Sequence, residues 1–216
     1  QRARHHRNAE PFAVEQPHQH HRVDFQVGGS MTSARRQSGL TLVEMAITML
    51  IFAILVAAAA PSFTGFLANT QIRSASDSLR NGLRVAQMEA IKRNRPVELV
   101  LTDSAPTSST VTALATGRNW VIRTARIGGG FDLLQGFAGA SQVPRVTLSA
   151  DRSIFAFDAF GRLTADSAGN AAPAADLAVA ITDSDSKGRP LRVVVRTGSS
   201  ISCDPNATAG TPFACS

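Results

Sequence analysis

The chain of 216 residues holds few groups whose type and spacing could do chemistry, and they are unevenly placed. All five histidines (His5, His6, His18, His20 and His21) lie before residue 22, and there is no tyrosine. Beyond that tail, His-based general acid–base catalysis, Ser–His–Asp triads and His metal sites are excluded. Cys203 and Cys215 are the only cysteines, too few for a four-cysteine zinc site. What remains is proteolysis and pairing. Ser38-Gly39 stands immediately before a long apolar run, and a cut after Gly39 would leave Leu40 with a free amine. Counted from Leu40, the lone acid Glu44 is the fifth residue, and no charged residue occurs from Met45 to Ile72.

A carboxylate in such a run costs about 2.5–3.5 kcal/mol at mid-membrane, so its presence needs a cause. Two are open. In one, Glu44 lies near the interface of an ordinary single-pass anchor, where it reaches head-group water. Alternatively it is matched by another copy: in an array of such helices, the new amine of one subunit would neutralise its neighbour's carboxylate and set the axial register.

The elements that would position these groups follow from periodicity. Residues 40–67 would rise about 42 Å as a helix, more than the roughly 30 Å of membrane hydrocarbon. A secretory signal peptide carries its cleavage site after the apolar run, whereas Ser38-Gly39 precedes it. Arg35 and Arg36 just upstream place that side in the cytoplasm and the rest of the chain outside. Residues 1–30 are rich in Arg, His, Gln and Pro and have no period. They are either a His-rich metal-binding tail or, the preferred reading, disordered or upstream sequence before a start at Met31, with 31–39 a basic leader. Six basic and three acidic residues fall in 1–39, leaving 16 basic against 13 acidic over 40–216, a net +3. So small an excess does not call for a polyanionic partner.

From Ile72 the pattern turns amphipathic. Ile72, Ala75, Leu79, Leu83, Ala86 and Ala90 form one helical stripe, with Arg73, Asp77, Arg80, Arg84 and Arg93 largely off it. Asn94-Arg95-Pro96 ends the helix. Residues 97–102, 111–115, 120–125, 146–148, 153–157, 177–182 and 191–196 are short, β-rich and bounded by turn residues, so a β domain follows. Residues 128–130 (Gly-Gly-Gly) and 158–162 read as turns and 166–176 as a surface loop. Asp183, Asp185 and Asp204 lack the spacing of a calcium loop. A Cys203–Cys215 disulfide would close a tail with little apolar content, contributing about 3 kcal/mol in the chain-entropy model.

Residues 39–44 (GLTLVE) resemble the prepilin peptidase motif of type IV pilins and type II secretion pseudopilins. In those proteins Gly precedes the cut, an apolar residue follows it, and Glu is the fifth mature residue. Pro61, twenty-second from Leu40, matches their helix-loosening proline, and Leu40 replaces the commoner Phe at a position often methylated. Residues 85–97 (VAQMEAIKRNRPV) are similar to the A-x-x-E-A-x-x-R-N-x-x-V signature of the GspH/FimT branch, which includes FimU. The resemblance implies an α+β pilin fold, with a long N-terminal helix packed on a small antiparallel sheet domain. Its parts would be the leader at 31–39, a membrane and assembly helix at 40–69, its amphipathic half at 70–95 and the globular domain at 96–216. It implies cleavage by prepilin peptidase, methylation at Leu40, and assembly through Glu44 and Pro61 with other pilin or pseudopilin subunits. The subunit would sit near the tip of a type IV pilus or type II secretion pseudopilus, starting from the inner membrane with its domain in the periplasm. No enzyme activity, cofactor or metal is implied. Some FimT-like relatives bind DNA through a Gly-Arg-x-Arg turn just before the matching cysteine; here Gly198-Ser199-Ser200-Ile201 lacks both arginines. A substitute built from Arg189, Arg192 and Arg196 is the alternative, and DNA is the less favoured partner.

Overall fold

The computed structural model describes residues 39–215, which divide between Met45 and Ala46 into two units. Of the first, residues 39–45 hold the start of helix α1 (Leu42–Arg93); the rest of α1 and all that follows belong to the second. The tail at 1–30 and the leader at 31–38 lie outside the described residues.

In the second unit α1 is followed by β1 (Val97–Thr102), β2 (Asn119–Ala125), β3 (Phe131–Phe137), a single turn α2 (Gly139–Gln142), β4 (Val146–Ala150), β5 (Ile154–Phe157), β6 (Leu177–Asp183), β7 (Leu191–Arg196) and β8 (Ser199–Cys203). The strands form two antiparallel sheets, ordered β3-β2-β1-β5 and β4-β6-β7-β8. Both lay an apolar face on α1, so the fold is α+β.

All six residues of the expected stripe are buried, joined by Ala68, Ser76 and Gly82. They meet Leu99 and Leu101 of β1, Trp120 and Ile122 of β2, Phe155 and Phe157 of β5, and Val179, Ile181, Val193 and Val195 of the second sheet. Close approach depends on small residues. A Cβ on Gly82 would stand 2.8 Å from the Trp120 ring, so the helix can lie this near β2 only where the side chain is missing. The helix ends at Asn94, in the left-handed region with φ 51°. The Arg95 amide donates to the Ala90 carbonyl at 3.2 Å and the Asn94 amide to Ile91 at 3.2 Å, a Schellman closure ahead of Pro96.

Residues 111–115 are not a strand, which corrects the expectation from their alternation. Both edges of β1 are already occupied, by β2 and β5, so no ladder is open to them. They cross the outer face of that sheet instead, packing Val111 and Ala113 on Val100, Val121 and Ile154. One ladder-like bond survives, from the Leu114 amide to the Leu101 carbonyl at 2.9 Å. Conversely, β3 and β8 were not expected. Their sequences, FDLLQGF and SSISC, lack the β-branched alternation of the others, and their pairing rests on the neighbours β2 and β7.

The same sheet holds a buried ion pair. Glu98 and Arg123 stand opposite each other on β1 and β2, with Nε–Oε2 at 3.1 Å and each side chain 8% exposed. Arg123 also donates to the Ser109 carbonyl (3.1 Å) and to Ser167 Oγ (3.0 Å), and its guanidinium lies 3.8 Å from the Phe131 ring centre. Glu98 accepts from the Ser167 amide (2.7 Å) and hydroxyl (2.8 Å). The network ties two long surface loops to the sheet.

Candidate processing and assembly site

Gly39 and Leu40 precede the helix in exposed backbone outside regular secondary structure, and Leu40 is 69% exposed. A protease needs such a stretch, because a peptide bond inside a helix cannot enter its cleft extended. The helix begins where Thr41 allows it. Thr41 Oγ1 accepts from the Glu44 amide at 3.2 Å, and the Thr41 carbonyl accepts from the Met45 amide at 3.1 Å. Thr41 is thus the N-cap, and Glu44 occupies the third helical position of a Thr-x-x-Glu sequence, where a carboxylate also favours the helix dipole. The sequence reading overlooked this second use of Glu44, although the spacing of Thr41 and Glu44 is its signature.

Within the second unit, every residue of α1 from 46 to 63 is exposed, including Met49, Phe52, Leu55 and Phe63, each more than 60%. The helix is long and apolar enough to cross a membrane. Such a face is unstable in water and must be covered by lipid or by other helices. Pro61 stands inside it and removes one backbone donor. Thr64 Oγ1 donates back to the Pro61 carbonyl at 2.8 Å.

The signature residues at 86–97 have separate physical jobs. Ala86, Ala90 and Val97 are wholly buried. Glu89 accepts from Arg93 Nε at 2.6 Å, and Lys92 lies 3.5 Å away. The Arg93 bond, opposed by desolvation and aided by the Lys92 charge, holds the Glu89 carboxyl below its ordinary range. At the 158–162 turn, desolvation of Asp158 is overridden by bonds from the Arg162 backbone and guanidinium and from the Phe160 amide, so its carboxyl is lowered. Gln87 Nε2 fixes this turn to α1 by donating to the Gly161 carbonyl at 2.8 Å.

The segment compared with the DNA-binding turn forms the β7–β8 hairpin, with Gly198 at φ 87° and Ser199 and Ser200 entering β8. Ser202 on the same strand bonds Ser76 of α1 at 2.9 Å. Arg189, Arg192 and Arg196 do not make a common basic hairpin. Arg189 donates to Asp204 at 2.8 Å and Arg196 to Asp176 at 2.7 Å, while Arg192 stands opposite Cys203 across the ladder. Asp183 and Asp185 are likewise engaged by Arg145.

Cys203 and Cys215 are joined in a disulfide. It returns the tail onto β8, where Asp204 and Ala214 also form a bridge. Replacing Cys203 by serine should cost about 3 kcal/mol and lower the melting temperature by roughly 6–12 °C. Calorimetry of the oxidised and variant proteins checks this; equal melting temperatures would mean that the tail is held by its other contacts.

The family model described as type II transport protein GspH matches residues 75–199, more than half of the chain. This chain belongs to the GspH family. A second model, the prokaryotic N-terminal methylation motif, matches residues 34–60 of this GspH-family chain. Among solved structures it is similar to the type IV minor pilin FimU of Pseudomonas aeruginosa PAO1 (16% identity, TM-score 0.45, covering 63% of this chain and 90% of that one). It is also similar to E. coli GspH (14% identity, TM-score 0.43, 66% and 94% covered). No curated protein matches it. The family is one of minor pilins and pseudopilins, and the N-methylation motif spans Gly39, Leu40 and Glu44.

Proposed function

We propose that this chain is a filament subunit made as a precursor and matured by prepilin peptidase between Gly39 and Leu40, with methylation of the new amine. It waits in the plasma membrane on α1, amino end in the cytoplasm and β domain outside, and then enters a short pilus or pseudopilus beside other subunits. Its role is structural and needs no catalytic residue and no cofactor. The observation that carries the reading is the exposed, charge-free stretch of α1 at 46–63 together with a methylation motif over residues 34–60, because that combination serves first lipid and then helix packing. DNA binding finds less support, since Ser199 and Ile201 stand at the two arginine positions of that turn and Arg189 and Arg196 are matched by acids.

The test is the mature N-terminus. In cells that contain a prepilin peptidase, intact-mass spectrometry should find a chain beginning at Leu40 and carrying one added methyl group. Gly39→Ala should still be processed, and a bulky residue there should leave the precursor uncut. A mature start after Ala60 would identify an ordinary secretory signal and end the filament reading.

A further inference from the structure

Residues 46–67 of α1 would rise about 33 Å, which matches the hydrocarbon thickness of a bilayer. What packs beside the last turns of that stretch would therefore sit at head-group depth. The structure puts the β6–β7 loop there. The Arg189 amide donates to Asn69 Oδ1 at 2.7 Å, and a Cβ on Gly188 would stand 2.5 Å from Ile72 and 3.2 Å from Ala68. The Lys187 carbonyl would lie 3.9 Å from a Cβ on Gly65. Three consecutive loop residues are thus held along α1 where its apolar run ends.

The loop brings charge with it. Arg73, Lys187 and Arg189 are exposed. Arg189, its side chain 77% exposed, pairs with Asp204, whose side chain is 12% exposed, and the Asp183 side chain is 1% exposed. The exposed Asp77, one turn from Arg73, is engaged by Arg80. Asp185 is engaged by Arg145. Among the described residues, Arg73 and Lys187 have no carboxylate within ion-pair distance. Next to them opens a groove of about 740 Å³ between α1 and the disulfide-closed tail, lined by Asn69, Arg73, Arg189, Leu191 and Phe213. Phe213 is 74% exposed. Cations around an amphiphilic groove, with an aromatic ring at its lip, match the layer where lipid phosphates meet the first methylenes of the chains.

We infer that the β6–β7 loop and the tail groove form a contact for anionic phospholipid head groups, which holds the domain down on the membrane before assembly. The inference rests on α1 being a membrane anchor. Lipid is chosen over a second protein because the surface is continuous with the anchor and lies at its exit. The contact would also have to be broken when the subunit leaves the bilayer, which makes it a restraint on assembly.

The test uses the full chain reconstituted in phosphatidylcholine vesicles with or without phosphatidylglycerol, followed by amide hydrogen exchange. Exchange at 184–190 and 206–213 should be several-fold slower with phosphatidylglycerol, and Arg73→Gln with Lys187→Gln should remove the difference while leaving β1 unchanged. Equal exchange in both lipids, or slowing that survives the two substitutions, overturns the contact. Slowing that follows the protein-to-lipid ratio rather than phosphatidylglycerol assigns the surface to another copy and also overturns it. A chain that alkaline carbonate strips from both kinds of vesicle overturns the anchor and this contact together. A chain that stays on both without lipid-dependent protection overturns the contact alone.

Discussion

Glu98→Ala should destabilise the domain by about 3–5 kcal/mol, a large share of the roughly 5–15 kcal/mol that holds an ordinary domain together. The reason is the group left behind. Arg123 is 8% exposed, and without Glu98 its guanidinium keeps only the Ser109 carbonyl, Ser167 Oγ and the Phe131 ring. None of these carries a negative charge. The Ser167 amide and hydroxyl lose their acceptors in the same step, so the 165–170 segment should loosen too. Urea unfolding of the detergent-solubilised chain, read by Trp120 fluorescence, measures the loss. Glu98→Met with Arg123→Met should cost less than Glu98→Ala alone, because no unpaired charge remains. A loss below about 1 kcal/mol for the single change would mean that water reaches the pair and that it behaves as a surface bridge.

Glu44→Ala should leave insertion and cleavage intact and reduce the protein in sheared filaments by roughly tenfold or more, the expected scale for one lost charge pair among apolar helices. The helix cap complicates this test and also sharpens it. Glu44 is the third residue after the N-cap Thr41, so alanine also weakens the helix start. Glutamine serves that capping sequence as well as glutamate does, but carries no charge. Glu44→Gln should therefore keep the helix start, measured by circular dichroism in detergent, and still fail to assemble. If the glutamine variant enters filaments at the normal level, the carboxylate is a capping and interfacial group and does not set the register.

The parts of this protein that sequence reading reached are those set by neighbours a few residues apart. The 3.6-residue stripe from Ile72 to Ala90 is buried as its spacing requires, and the helix closes at Asn94 ahead of Pro96. Strands with β-branched alternation, such as β1 and β7, stand where they were expected. The Cys203–Cys215 bond follows from there being only two cysteines. The methylation motif is equally local, because it occupies one continuous stretch, residues 34–60.

Tertiary structure decided whatever depends on partners far away in the chain. Residues 111–115 alternate like a strand, but β1 has no free edge to offer them. β8 has a strand's partners without a strand's composition. Glu98 finds Arg123 and Ser167, 25 and 69 positions away, and nothing in VELVLT marks its acid as buried. Arg189 and Arg196 look like one basic patch in sequence and are each paired with a different acid, Asp204 and Asp176, in space. The physical reason is the same each time. Periodicity reports which face of an element turns inward, whereas a side chain's charge environment and a strand's hydrogen-bond edge are set by whatever the folded chain brings alongside.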